Sequence, residues 1–244
     1  MKIAAAQLTC VPGDVVANVR QAVELAERAA ADGADLVVFP ELTLTGYELD
    51  IVAADPEVWV GPHDARLDAL RNSGIATVLN CAAPTESGPA IATFVYSGSG
   101  ELIGSYLKRH LFEHEREVFV AGSQDGRFEL GGLRFSLATC YDNHFPDLIE
   151  RSAADGCDVH LASSLYGTGG GVRERASIYP SIARDSNMSV VLANHVGPAG
   201  AWVGCGGSAV WRPGGDLLVE GDSSSTGVVA ARVEKAVRTT SSPG

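Results

Sequence analysis

Short apolar runs recur along the whole chain, and turns or amphipathic stretches separate them. Most of the runs have the length and the β-branched content of buried strands. Residues 15–31 instead carry apolar residues at helical spacing, and Gly33 follows where a helix would stop. Further helices are predicted at 63–73, 146–155 and 172–187. The predicted single strands are KIAAAQL, LVVF, IATVLNCAA, VHLASS, SVVLANHV and GVVAARV. Strands interspersed with helices indicate an α/β fold.

Three more pairs of strand-like runs are joined by glycine-containing turns, which is typical of β-hairpins. They are AIATFVYS-GSG-ELIGSYLK, RFEL-GG-LRFSLATC and GSAVWRP-GGD-LLVEG. Hairpins between helices predict mixed sheets. Two such sheets packed face to face, with helices outside, would bury all of these strands. With no internal repeat or long linker, residues 1–244 are expected to form one domain, with a flexible tail at about 236–244.

The formal net charge of −12 argues against nucleic acids and anionic membranes as partners, because both require basic patches. No apolar run is long enough for a transmembrane helix, and MKIAAAQLTCVPGD is predicted to be a first strand rather than a signal peptide. The five cysteines are odd in number and lack C-x-x-C spacing, so a disulfide framework or a zinc site is not expected. Free thiols favour a reducing compartment, most simply the cytoplasm.

Polar residues follow three apolar strands at equivalent local positions. Glu41 follows LVVFP, Lys108 follows LIGSYL, and Cys140 follows RFSLAT. Ligand sites in α/β folds tend to lie at the carboxyl ends of strands. Lysine is rare here, since the only others are Lys2 and Lys235. A carboxylate, an ammonium and a thiol are therefore predicted to meet at one end of the sheets.

This trio suits nucleophilic catalysis, because a thiol becomes reactive when a base or a cation favours its thiolate. Glu41 can be the base if burial raises its pKa. Lys108 and the backbone N–H of Tyr141 can stabilise an oxyanion. The chemistry would be acyl transfer through a thioester, without metal or organic cofactor. Histidine is the usual alternative base, and His144 lies nearest to Cys140 in the sequence.

Each residue also has a structural interpretation. Cys140 could be core packing, Glu41 a cap and Lys108 a solvated strand end. Tyr47, Tyr166 and Trp202 could line a pocket, although aromatic residues more often belong to the core.

Three segments carry a family resemblance. FPELTLTGY (39–47), YLKRHLFEHEREVFVAG (106–122) and CYDNHFPDLI (140–149) resemble the signature blocks of the nitrilase superfamily, the carbon-nitrogen hydrolases, in order and interval. ARDSNMSVVLANHVG (183–197) and GGSAVWRPGG (206–215) extend the resemblance over nearly the whole chain. Departures from the family pattern lie outside the three central residues and include His144, Asp147, Asp185, Ser186, Ser189 and His195.

The resemblance implies a four-layer αββα sandwich with a Glu-Lys-Cys triad. Glu41 would be the general base, Lys108 the oxyanion stabiliser and Cys140 the nucleophile. Glu115, with Glu117 as the alternative, would help to position the lysine and substrate. Tyr47, His144 and Tyr166 are candidate substrate contacts, as is the backbone of Tyr141.

The implied activity is that of an amidase-like member acting on a small linear amide without a cofactor. Members that act on nitriles tend to have longer chains with C-terminal extensions, which favours the amide. The alternatives are a nitrilase, an N-carbamoyl hydrolase, or a non-catalytic binding or scaffold protein with this fold. The family also implies a homodimer or a larger even-numbered oligomer, with the helix at 172–187 as the expected contact.

Overall fold

A computed structural model describes residues 1–235. The tail expected at 236–244 lies outside the described residues. The α-helices of the described part are α1 (Val15–Ala31), α2 (Leu49–Ala54), α3 (Asp68–Arg71), α4 (Glu115–Val118), α5 (Pro146–Ala154) and α6 (Gly170–Ser186). Short 3-10 helices cover Pro56–Val58, Ala65–Leu67 and Cys140–His144.

The strands are β1 (Lys2–Gln7), β2 (Leu36–Val38), β3 (Ala76–Thr85), β4 (Gly88–Tyr96), β5 (Leu102–Leu107), β6 (Gly126–Leu130), β7 (Leu133–Thr139), β8 (Val159–Ser164), β9 (Ser189–Asn194), β10 (Val196–Ala199), β11 (Trp202–Cys205), β12 (Ala209–Trp211), β13 (Leu217–Glu220) and β14 (Gly227–Arg232). The first sheet has the order β14-β1-β2-β3-β4-β5, and the second has the order β13-β12-β9-β8-β7-β6. Strands β10 and β11 form a separate hairpin.

Both sheets are mixed in the same way. In the first sheet β1, β2 and β3 are parallel, and β14, β4 and β5 pair antiparallel at the two sides. In the second sheet β7, β8 and β9 are parallel, and β6, β12 and β13 pair antiparallel. The prediction of two mixed sheets is confirmed.

The alternation of side chains along the strands assigns the layers. Ile3 and Ala5 of β1 pack in one buried cluster with Phe135 and Leu137 of β7, so this cluster lies between the sheets. The opposite face of β1 packs against α1. The outer face of the second sheet packs against α5 and α6. The chain is therefore a four-layer αββα sandwich, as the resemblance implied.

Helix α1 illustrates how the sequence sets an element. The Asp14 side chain accepts a hydrogen bond from the backbone N–H of Ala17 at 2.9 Å, which caps the first turn. Val19, Ala22 and Leu25 lie on the buried face at helical spacing. The left-handed φ of 75° at Gly33 ends the segment.

Most predicted elements are present, including the three hairpins, but a few boundaries were wrong. The helix expected at 63–73 is a 3-10 turn followed by the short α3. The strand expected at SVVLANHV breaks after Asn194, and β10 begins a new hairpin at Val196. Helix α6 begins at Gly170, two residues before the helix predicted at 172–187.

None of the helices within residues 1–235 is long and apolar enough to cross a membrane.

Candidate active site

The three residues predicted to meet follow strands β2, β5 and β7. Glu41 lies shortly after β2, Lys108 follows β5 directly, and Cys140 follows β7. Strands β2 and β5 belong to the first sheet and β7 to the second. The site is therefore assembled across both sheets, at the carboxyl ends of these strands.

One buried ammonium lies between two buried carboxylates. Lys108 Nζ is 2.7 Å from Glu41 Oε1 and 2.7 Å from Glu115 Oε2. All three side chains are essentially inaccessible to solvent. Glu117, the alternative to Glu115, is exposed and pairs with His114 instead. The geometry thus favours Glu115 over Glu117 as the second glutamate.

Burial and neighbouring charges have opposing effects on the pKa values in this cluster. Burial raises the pKa of Glu41 to about 7, with Lys108 opposing the rise and Glu115 adding to it. Burial lowers the pKa of Lys108, but the two carboxylates outweigh burial and hold that pKa above its usual range. Lys108 therefore stays charged, and Glu41 can exchange a proton near neutral pH.

The thiol of Cys140 interacts with the same charges. Burial and the charge of Glu41 raise the pKa of Cys140 well above its usual range, although Lys108 lowers it. The Cys140 thiol also donates a long hydrogen bond to the Leu165 carbonyl, at 3.7 Å. The resting residue is a neutral thiol, so a nucleophilic role requires a base that takes its proton.

Glu41 has the free acceptor that such a base needs. Oε1 accepts a hydrogen bond from Lys108, whereas Oε2 is buried and has no well-formed hydrogen bond among the described residues; the Cys140 thiol interacts with this carboxyl and lowers its pKa. An unpaired buried carboxylate oxygen is costly, and natural proteins rarely retain one without a use.

Backbone strain occurs at two points of the site. Cys140 has φ 43° and Leu42, directly after Glu41, has φ 49°. Left-handed conformations cost such residues roughly 1–3 kcal/mol and cluster at functional sites. The cost falls on the two turns that present the thiol and the carboxylate.

Buried hydrogen bonds hold the Cys140 turn in this conformation. Asp142 accepts hydrogen bonds from the Thr139 N–H at 3.0 Å and the Tyr106 hydroxyl at 2.7 Å. Asn143 Nδ2 donates to the Cys140 carbonyl at 2.9 Å, and its Oδ1 accepts from His160 Nε2 at 2.8 Å. Burial lowers the pKa of His160 to about 3, so this ring is neutral and structural.

Asn80 of β3 joins the two turns. Its Oδ1 accepts from the Leu42 N–H at 2.7 Å, and its Nδ2 donates to Thr139 Oγ1 at 3.1 Å and to Thr93 Oγ1 at 3.0 Å. A single buried amide therefore connects the residue after Glu41 to the residue before Cys140, across the sheets.

His195, one of the departures from the family pattern, also supports the Glu41 turn. Its Nε2 contacts the carbonyl oxygen of Glu41, and its Nδ1 lies 3.9 Å from Cys10 Sγ. Burial lowers the pKa of His195, so the neutral ring donates its Nε2–H to that carbonyl.

Cys140 opens into a cavity of about 270 Å³. Its walls include the four predicted contacts and Trp202. The lining residues are Tyr47, Phe112, Cys140, Tyr141, His144, Leu165, Tyr166, Gly167, Thr168, Gly170, Gly171, Glu174 and Trp202. Sequence reasoning missed Phe112, Leu165 and Glu174.

Two of the predicted contacts have defined partners. The Tyr47 hydroxyl donates to Glu115 Oε1 at 2.5 Å. His144 Nε2 lies 3.2 Å from Glu174 Oε1 and 3.5 Å from the Tyr166 hydroxyl. Among the described residues, His144 and the Cys140 thiol have hydrogen-bond partners, but they are not hydrogen-bonded to each other. Tyr141 is the second residue of the 3-10 helix, where an N–H has no partner within the helix.

No group of three or more metal-binding side chains occurs within residues 1–235.

The chain is similar to proteins of known family and structure. The Carbon-nitrogen hydrolase family matches residues 2–241. An amidase from Nesterenkonia sp. AN1, of the nitrilase superfamily, is 30% identical with a TM-score of 0.88, over 96% of this chain and 93% of that one. The 2-oxoglutaramate amidase of Bacillus subtilis is 28% identical over 82% of this chain and 78% of its own length. A nitrilase of Pyrococcus abyssi is 27% identical over 89% of this chain and 83% of its own length.

Proposed function

The chain belongs to the carbon-nitrogen hydrolases of the nitrilase superfamily, and from this we propose that it is an amidase that hydrolyses a small linear amide through a thioester on Cys140. The amidase of Nesterenkonia sp. AN1 supports the substrate class. One of its variants is in complex with butyramide, another carries acrylamide added at the active-site cysteine, and a third carries the acetamide moiety of fluoroacetamide there.

In the acylation step, Glu41 takes the thiol proton while Cys140 Sγ attacks the amide carbonyl carbon. The carbonyl π electrons move to oxygen, and Lys108 and the Tyr141 N–H stabilise the resulting oxyanion. Glu41 then returns the proton to the amide nitrogen, the C–N bond breaks, and ammonia or an amine leaves.

In the deacylation step, Glu41 takes a proton from water, and the oxygen attacks the thioester carbonyl. The C–S bond breaks, the carboxylic acid leaves, and the proton returns to Cys140. Glu115 holds Lys108 in place through both steps, and the Tyr47 hydroxyl holds Glu115 in turn.

The observation that carries this proposal is the unpaired Oε2 of Glu41, on a carboxyl whose pKa burial raises to about 7. A carboxyl with that pKa can both accept and return a proton near neutral pH. In a purely structural ion pair, both carboxylate oxygens would be hydrogen-bonded. Such a pair would also not require the strained backbone conformation of Cys140.

The test is ammonia release from a panel of butyramide, butyronitrile and N-carbamoylglycine. We expect release from butyramide to be fastest. The nitrilase from Pyrococcus abyssi supports butyronitrile as the second candidate. Faster turnover of the nitrile or of the carbamoyl compound would favour those activities. No product from any of a broad panel would favour a non-catalytic protein with this fold.

A further inference from the structure

The cavity beside Cys140 has an anionic wall. Glu174 of α6 lines it, and its side chain is 47% exposed. None of the described residues that line the cavity is a lysine or an arginine. A substrate that carries a carboxylate would therefore find a like charge and no permanent cation.

Among the described lining residues, His144 alone could become a cation, and Glu174 already pairs with it. The two side chains are 3.2 Å apart, from Nε2 to Oε1. A protonated His144 would be neutralised by this carboxylate rather than left free for an anionic ligand.

Two cations close to these residues in the fold or the sequence are already paired. Lys108 is fully buried between Glu41 and Glu115, so the cluster behind Cys140 holds one ammonium against two carboxyl groups. Arg175, next to Glu174 in the chain, donates to the Gly207 carbonyl at 2.8 Å and pairs with Glu220 at 2.7 Å. Lys108 cannot pair with a substrate carboxylate without breaking a buried contact, and the Arg175 guanidinium is already held by Gly207 and Glu220.

An adjoining cavity of about 420 Å³ has the same sign of charge. It shares Tyr47, Phe112 and Trp202 with the cavity at Cys140. The carboxyl groups among its lining residues are Glu48, Asp50, Glu113 and Glu117. Lysine and arginine are absent from this lining as well, within the described residues. The approach to Cys140 is thus anionic on both sides of the shared aromatic residues.

We propose that Glu174 is a specificity-determining residue, which disfavours amides with a carboxylate on the acyl chain and favours neutral or cationic chain ends. This inference rests on the proposed amidase function and names its substrate class. Two like charges about 5 Å apart repel each other, at an effective dielectric constant between those of protein and water. This repulsion weakens the binding of a carboxylate-bearing amide by roughly tenfold.

The test uses three linear amides that differ only at the chain end. Pentanamide carries a methyl group, 4-aminobutanamide an ammonium and glutaramate a carboxylate at the corresponding position. We expect kcat/KM for glutaramate to be about tenfold or more below that for pentanamide, consistent with like-charge repulsion. Equal or faster turnover of glutaramate would overturn the proposal.

Variants of Glu174 test whether this residue causes the difference in kcat/KM between pentanamide and glutaramate. Glu174→Gln should bring the pentanamide-to-glutaramate ratio toward one, and Glu174→Asp should restore most of it. Glu24→Gln, on the exposed face of α1, removes the same charge from the far side of the molecule and should leave the ratio unchanged. An equal change in the Glu24 variant, or no change in Glu174→Gln, would contradict the role of Glu174.

Binding to the Cys140→Ala variant, measured by calorimetry, separates this inference from the proposed reaction. If wild-type protein releases no ammonia but the variant binds the three amides in the expected order, the specificity holds and the hydrolase proposal fails. If the order is reversed, or if none of the three binds at millimolar concentration, the specificity proposal fails.

Discussion

Glu41 combines two properties that rarely occur together in a structural ion pair. It is fully buried against Lys108, yet one of its oxygens has no hydrogen-bond partner within residues 1–235, and its pKa is raised to about 7. Burial outweighs the attraction of the Lys108 ammonium, and the like charge of Glu115 raises the pKa of Glu41 further. Both effects favour the proposed role of Glu41 as a base.

Glu41→Gln tests this role, since glutamine keeps the shape but cannot accept the proton. We expect kcat/KM for butyramide to fall by a factor of about 10²–10⁴, the usual range for general acid–base catalysis. His144→Asn is the control variant, because His144 pairs with Glu174. This substitution should lower kcat/KM much less than Glu41→Gln does. An inactive His144→Asn beside a near-wild-type Glu41→Gln would identify a Cys-His hydrolase instead.

The raised pKa also predicts the pH dependence of activity. The base must be deprotonated, and its pKa in the folded protein lies near 7 rather than at the usual 4.5. As pH falls below about 7, kcat/KM should therefore drop roughly tenfold per pH unit, and above 7 it should level off until another group titrates. A rate profile flat from pH 5 to 8 would contradict a catalytic pKa near 7.

At the scale of elements, the turns at Glu41 and Cys140 are connected through one strand. Asn80 of β3 connects Leu42 to Thr139 and thereby sets the spacing between Glu41 and Cys140. Misplacement of reacting groups by about 1 Å can cost on the order of 100-fold in rate.

Asn80→Ala should therefore lower kcat by about 10- to 100-fold while KM changes little, because the cavity walls stay in place. Thr93→Val is the matched control, since it removes another hydrogen bond of Asn80 but keeps the connection between the turns. Steady-state kinetics with circular dichroism of each variant measures this. Equal losses in both variants would indicate a merely structural role.

The strand ends were predictable from sequence because apolar runs stop at Glu41, Lys108 and Cys140, and the resemblance assigned their roles. Asn80 left a weaker signal, a single amide inside the apolar run IATVLNCAA. Glu174 left none, because its contact with His144 depends on how α6 packs against the second sheet. The single helix expected at 63–73 was wrong because the Asp64 side chain accepts the Arg66 N–H and closes a separate 3-10 turn at Ala65–Leu67 before α3.

At the scale of the molecule, both sheets contribute to the candidate site, so the distances between Glu41, Lys108 and Cys140 depend on the packing between the sheets. The outer helical layer of the second sheet also has a groove of about 620 Å³ between α5 and α6. Ile149, Ile178 and Ile182 lie among its lining residues. This supports the expected homodimer through α6, which stays a prediction.

Light scattering should give about twice the chain mass of 25.4 kDa at micromolar concentration. Ile178→Asp should shift the protein toward monomer, because a stable interface buries apolar surface of roughly 1,200–2,000 Å² in total. Val16→Asp, an exposed position on α1, is the matched control and should leave the dimer intact. A wild-type monomer at these concentrations would contradict the assembly.

The measurement that tests the account most directly is mass spectrometry of acid-quenched protein during turnover of butyramide. The thioester mechanism predicts a transient mass gain of one butyryl group on the peptide that contains Cys140, with Cys10, Cys81, Cys157 and Cys205 unmodified. Cys140→Ala should carry no adduct and release no ammonia. Ammonia release from Cys140→Ala at the wild-type rate, with no adduct on the wild-type peptide at any time, would contradict the account.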